Sequence, residues 1–392
     1  MASLIDTNQD NVTRKVVWLL LAVSINALEL AIPRLPFLPW LKPGFANVIT
    51  ILWISRYGFT DALLFSVLRI WISGFYFGFS LLTLALGLSG GILSTTIMAL
   101  LWKTLGERKM IGSVGLGIAG ALFHNIGQIS VVYLIMAQNT RIFYQLPFMF
   151  AAALLFGGVV GGLAPHVGRL LDRTAESDVG SFKVSGKTTI STLHRIISSS
   201  TFLLSVSLMF VDSLPVLLVA AVMTSLIGCA LNKWNSGSLL YPARFYLIFL
   251  FIGCMHLFFS YGARLEFFPA VTREGLQSTV TQWLRLWTWL QATHVFRKFH
   301  FDKLIMETLE RIFPNKGATL EAGLLALEYF PKTVQSARKS KKVQLKPLLF
   351  RPRKTLETFV ETMHTRIHLL IEGKEQSVFS DKQSSAESHF NS

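Results

Sequence analysis

The sequence predicts an all-α, polytopic membrane protein: a six-helix bundle, then about four further spans and cytoplasmic amphipathic helices. Three observations carry this expectation. Hydrophobic residues make up 52% of the 392 and charged residues only 15%, against about a quarter in soluble domains. Apolar runs long enough to cross a bilayer recur between residues 16 and 296, and mean hydropathy is +0.49. Beyond Arg297 the chain turns charged and amphipathic, with no further span. The net charge of +15 fits basic loops on one side of a membrane plus a basic arm, rather than a nucleic-acid surface.

Ten helical segments follow in order, over residues 16–32, 45–57, 60–78, 81–101, 111–137, 146–170, 199–212, 214–231, 241–261 and 276–296. The second and seventh are short for a span. The polar tail 1–14 leads into an uncleaved first helix, because the first apolar run ends in Glu29 and Pro33 without a small-residue cleavage site. Arg14, Lys15, Arg56, Lys103, Arg108, Lys109, Arg169, Arg173, Lys183, Lys187 and Arg195 fall on one side of this pattern. Arg34, Lys42 and Arg141 fall on the other. The asymmetry predicts a cytoplasmic N-terminus and six spans in the first half, with the second half returning inside near Arg297. The expected location is the cell (inner) membrane, with the C-terminal arm also cytoplasmic.

Four boundaries follow: a first membrane domain over 15–173, a linker over 174–190, a second membrane and coupling domain over 191–375, and a disordered tail over 376–392. The linker is polar, with Gly180, Ser181, Ser185 and Gly186. Its Gly186-Lys187-Thr188 is not a phosphate loop, since position 181 is Ser and no strand precedes it. Cys229 and Cys254 sit in apolar runs, without disulfide or metal-ligand spacing, and read as packing residues.

Polar side chains within spans cost free energy unless they face a cavity or a partner. In the first half these are Asn26 and Glu29, Asn47, Arg69, and the group His124, Asn125 and Gln128 on one helix, near Ser89 and many glycines. One reading is a small-molecule pocket built from Asn47, Arg69, Ser89, His124, Asn125 and Gln128. Another is that these groups only tie helices together. A His/Glu metal site lacks a second close ligand.

Gly44-Phe45-Ala46-Asn47-Val48-Ile49-Thr50, Leu68-Arg69-Ile70, Ser89-Gly90-Gly91-Ile92-Leu93-Ser94 with Met98, and Gly120-Ala121-Leu122-Phe123-His124-Asn125-Ile126-Gly127-Gln128 together resemble the Gx family of membrane substrate-binding components. That family is often labelled heptaprenyl diphosphate synthase component I, and it is similar to the S components of energy-coupling factor (ECF) transporters. The resemblance covers residues 15–173. It implies a six-helix bundle that binds a micronutrient from outside, with an Ala-x-x-x-Ala packing face on the first helix. Ala27 and Ala31 fit that spacing.

Residues 274–339 carry Leu309-Glu310-Arg311-Ile312, Ala326-Leu327-Glu328-Tyr329-Phe330-Pro331 and Gln335-Ser336-Ala337-Arg338-Lys339. They resemble the transmembrane T component of ECF and cobalt transporters, over residues 187–375. The resemblance implies that Ala337-Arg338 ends a coupling helix whose Arg enters an acidic groove of an ATPase subunit. Lys339 replaces the usual Gly, and no last span follows. An Arg fork suits such a carboxylate. The basic stretch from Arg338 to Lys354 suits anionic lipid headgroups as well.

The expected function is a fused substrate-binding and coupling subunit of an ECF-type ABC importer for a micronutrient or small precursor. It would perform no chemistry itself, and ATP and Mg would be held by partner subunits. The alternatives are a membrane component of isoprenoid assembly and a secondary transporter. The first needs clustered carboxylates for Mg²⁺, whereas the Asp residues here are scattered.

Overall fold

The computed structural model describes residues 2–30, 44–78, 81–106, 108–175, 191–234, 236–259, 262–266, 268, 270–339, 362 and 365. These residues form twelve α-helices: α1 (Ala2–Leu30), α2 (Asn47–Gly78), α3 (Leu81–Leu101), α4 (Ser113–Val131), α5 (Leu146–Ala175), α6 (Thr192–Ser207), α7 (Leu214–Leu231), α8 (Ser236–Leu239), α9 (Tyr246–Phe259), α10 (Arg273–Lys298), α11 (Phe301–Ile312) and α12 (Gly317–Lys339). No strand occurs among the described residues; a single antiparallel bridge joins Arg264 and Thr272. Seven stretches of the described residues are long and apolar enough to cross a bilayer. The chain is an all-α polytopic membrane protein.

α2 is two antiparallel arms. Gly58 breaks it with φ 78° and ψ −176°, a backbone that side chains with a Cβ rarely adopt. The rings of Trp53 and Phe65 stack at 4.1 Å, and Arg69 Nη2 donates to Asn47 Oδ1 at 3.1 Å. In a straight helix the second pair would lie about 33 Å apart. The expected helices over 45–57 and 60–78 are therefore both present, folded about Gly58. The first arm rises only about 16 Å, half of a hydrocarbon core of about 30 Å. The second arm is long enough to cross.

The next helices alternate in direction. Ser66 and Thr95 share a hydrogen bond of 2.7 Å, and Ile70 lies against Gly87 and Gly91, so α3 runs antiparallel to the second arm. Gly90 receives the His124 ring, and Gly120 receives Met98, which sets α4 antiparallel to α3. A Cβ on Gly117 would lie 2.3 Å from the Gly157 carbonyl oxygen; only glycine lets α4 and α5 approach this closely, the usual device for helices packed in lipid. α5 then returns to the Gly58 end, where Arg56 Nη2 meets both Asp172 oxygens at 2.6 and 2.8 Å. The Gly58 turn, the 103–109 loop and the end of α5 thus share one face. Gln138 and Arg141 lie at the other. Among the described residues, Arg56, Lys103, Arg108 and Lys109 share one face and Arg141 lies at the other, as the sequence grouping expects, while Arg34, Lys42, Lys183 and Lys187 lie outside the described residues.

In the second half α10 is the central helix, packed against α3, α6, α7 and α9. It is less apolar than the others, yet Thr279, Gln282, Arg285, Thr288, Gln291 and Thr293 are all buried. Some find partners on neighbouring elements, as where Gln291 Nε2 donates to the Ser238 and Leu239 carbonyls, while Thr279 and Thr288 donate to carbonyls of their own helix. α7 and α9 point Val219, Met223, Leu226, Leu250 and Phe258 outward, the surface a lipid-facing helix needs. Cys229 is buried, as expected of a packing residue, but Cys254 is exposed on α9.

The tail, expected as amphipathic coupling helices, packs on the first half. α11 descends toward the Gly58 face, placing Met306 and Leu309 in the first-half core, and α12 packs along α1 and the second arm of α2. Lys316 and Thr319 meet Asp61 near the Gly58 turn. Gly323 lies against Leu68, and the Tyr76 hydroxyl donates to the Leu327 carbonyl. That carbonyl lost its helical donor to Pro331. α12 therefore climbs parallel to the second arm, and Ala337 and Arg338 lie in its last turn, toward the Gln138 face. The reason is chemical: Ala322, Leu325, Ala326 and Phe330 give α12 a buried face that a free arm would leave in water. The side chains of Ala337 and Arg338, the 174–190 linker beyond Ala175, and the stretch expected as a second coupling helix (348–372, apart from Thr362 and Thr365) lie outside the described residues.

Candidate functional site

A cluster of buried charge in the first half joins α1 to both arms of α2. Asn47 opens α2, its N–H bonded to the Gly44 carbonyl at 2.9 Å. Its Oδ1 accepts from Arg69. Glu29, near the end of α1, accepts from the Ala46 N–H at 2.9 Å and acts electrostatically on Arg69. All three side chains are buried. Arg69 stands eight positions beyond Asp61, so it lies about 12 Å in from the Gly58 turn, near mid-bilayer.

Arg69 is under-supplied with acceptors. Its Nε has no hydrogen-bond partner, and the same holds for the buried Thr50 Oγ1 and Gln128 Oε1. A buried polar atom without a partner costs about 1–3 kcal/mol, so such atoms mark strain, a functional site or a place for a further molecule. A planar guanidinium with a spare N–H matches carboxylate, phosphate or carbonyl oxygens. The arrangement can bind and orient a small polar solute; it offers no nucleophile paired with a base.

Only part of the expected site is brought together. Asn47 and Arg69 are in contact, and Glu29 joins them. His124 reaches the same depth on α4 but packs on Gly90 of α3. Asn125 donates to the Met149 carbonyl at 3.0 Å, so it ties α4 to α5. Ser89 donates to its own helix at Leu86, 3.1 Å away. Gln128 is buried beside Gly127, which lies against the Ser89 carbonyl. Ala27 keeps helical backbone, but its side chain and the whole of Ala31 lie outside the described residues.

Two clusters were missed from the sequence. Lys15 Nζ lies 3.0 Å from Asp61 Oδ1 and donates to Thr319 Oγ1 at 2.7 Å; Lys316 Nζ lies 2.8 Å from Asp61 Oδ2. Arg285 donates from all three guanidinium nitrogens, to the Val211 carbonyl, to Gln138 Oε1 at 3.0 Å and to Asp212 Oδ1 at 2.6 Å. These partners are far apart in sequence, so no local spacing announces them. No group of three or more His, Cys, Asp or Glu among the described residues is placed to hold a metal ion.

Residues 19–167 match a family model described as heptaprenyl diphosphate synthase component I. The match spans α1 to most of α5, which contains the Glu29–Asn47–Arg69 cluster, and ends before α6. No curated protein and no solved structure matches the chain.

Proposed function

We propose that this chain is the membrane subunit of a solute importer, its first half capturing a micronutrient or small precursor and its second half working with separate ATPase subunits. The observation that carries the reading is the buried Glu29–Asn47–Arg69 cluster at mid-bilayer depth, inside the residues that match the family model. A charged side chain at that depth is costly and characteristically marks a solute or ion path. Resemblance to S and T components adds the ATPase partners. In this reading the chain catalyses nothing, and ATP and Mg belong to the partners.

The course of α12 favours a second reading, a secondary transporter without ATPase subunits. A coupling arginine has to meet its ATPase on the cytoplasmic side. With the basic loops cytoplasmic, α12 runs from their face toward the opposite one. Pull-down of ATPase subunits from native membranes, with the wild type and with Arg338→Glu, Lys342→Glu and Arg353→Glu, separates the two. The importer reading expects capture by the wild type and a loss of about a hundredfold or more for Arg338→Glu alone, which is about 2.8 kcal/mol. Equal, small losses in all three, or no capture by the wild type, remove the ATPase from the account.

A further inference from the structure

The Asp61 cluster draws together three segments distant in sequence: α1, the Gly58 turn and the start of α12. Both carboxylate oxygens are used, Oδ1 by Lys15 and Thr319 and Oδ2 by Lys316. The Lys15 and Asp61 side chains are 5% and 7% exposed, while Lys316 is 30% exposed. Lys15 also lies 4.8 Å from the Tyr57 ring centroid. One anion thus holds two cations at the edge of the bundle.

The rest of the α12 contact is its apolar face, which Ala322, Leu325, Ala326 and Phe330 bury against the first-half bundle. Polar attachments fix where along the bundle that face sits, and two of them, the Asp61 cluster and the Tyr76 bond to Leu327, use the second arm of α2. Arg69 sits on that arm between them. A helix is stiff over such a length, and Gly58 at its base has a backbone suited to a hinge.

We propose that the Lys15–Asp61–Lys316 cluster is a latch that docks α12 on the first-half bundle and opens when the second arm of α2 moves. The link from Arg69 to the latch rests on the capture reading above. When a solute engages Arg69 alongside Asn47, through the spare Nε, the second arm loosens its polar tie to the first, with the Trp53–Phe65 stack left between them. It can then tilt about Gly58, carrying Asp61 away from the two lysines and releasing α12.

The test uses the full chain in lipid nanodiscs with Cys229→Ser and Cys254→Ser, and spin labels on cysteines replacing the exposed Phe59 and Ile312. The quantity read is the distance distribution between the Gly58 turn and the α11–α12 turn. Wild type should give one narrow, short distance. Asp61→Asn leaves two lysines without their anion and should raise a longer-distance population at least tenfold. Lys316→Gln, at a partly exposed position, should raise it by a smaller factor and serves if Asp61→Asn does not fold. Unchanged distances in the variants that fold overturn the latch, whatever the solute experiment gives. A longer distance in Asp61→Asn, with bound solute unaffected by Asn47→Ala, supports the latch while counting against the capture reading.

Discussion

Among the described residues, each half of the protein buries one arginine almost completely, and the two are treated in opposite ways. Arg285, on α10, has a partner for every guanidinium nitrogen: the Val211 carbonyl, Gln138 and Asp212. It bridges the two halves near the Gln138 face, and its Asp212 partner is exposed. Arg69, at mid-depth, has one side-chain acceptor in Asn47, the field of Glu29, and an Nε without a partner. A fully satisfied buried cation fixes a structure; an under-satisfied one keeps capacity for something else. The contrast separates a structural arginine from a candidate binding one, although both are arginines on buried helices.

The largest effect expected from this contrast is at Arg285. Arg285→Met leaves the Val211 carbonyl without its donors, at about 1–3 kcal/mol, and Asp212 without its cation, while Gln138 Oε1 keeps the Gln282 amide. Thermal unfolding in detergent should show a loss of about 2–4 kcal/mol, and a loss below about 1 kcal/mol would dissolve the contrast. Gly117→Ala comes next, because its Cβ must displace the Gly157 backbone. It should cost about 1–3 kcal/mol in the same assay without touching either arginine, which sharpens the comparison by giving the price of a packing fault alone. Asn47→Ala should cost only about 1 kcal/mol of stability yet reduce bound solute at least tenfold by mass spectrometry. A pure stability effect there would make Arg69 structural too. Smallest is Asp172→Asn, which breaks an exposed pair with Arg56 and should change stability by less than about 1 kcal/mol.

Much of the first bundle was legible because its signals are local. The break between the arms of α2 is written in a glycine at 58, and the close approach of α4 and α5 in glycines at 117, 157 and 161. The helix at α10 was legible from its length, although its polar residues leave it outside the seven stretches apolar enough to cross a bilayer. Of the six residues expected to line a pocket, the structure brings Asn47 and Arg69 into contact. His124, Asn125 and Gln128 share one helix, but their surroundings are set by Gly90, Met149 and Gly127, which no spacing within α4 reveals. α12 was expected as an amphipathic cytoplasmic coupling helix, and its packing on the first half was not foreseen. Its buried face and its tie through Lys316 and Thr319 to Asp61 depend on residues about 250 positions away, where sequence spacing carries no information.

The central claim is that Arg69 serves a solute and Arg285 does not. It is tested most directly by mass spectrometry of small molecules carried through mild detergent purification of three proteins: wild type, Asn47→Ala and Asp212→Asn. Asn47→Ala removes an acceptor from Arg69, and Asp212→Asn removes the charge from an acceptor of Arg285. The account predicts a solute bound in near-stoichiometric amount to the wild type and to Asp212→Asn, and depleted at least tenfold in Asn47→Ala. Equal retention by both variants, or equal loss from both, would contradict it.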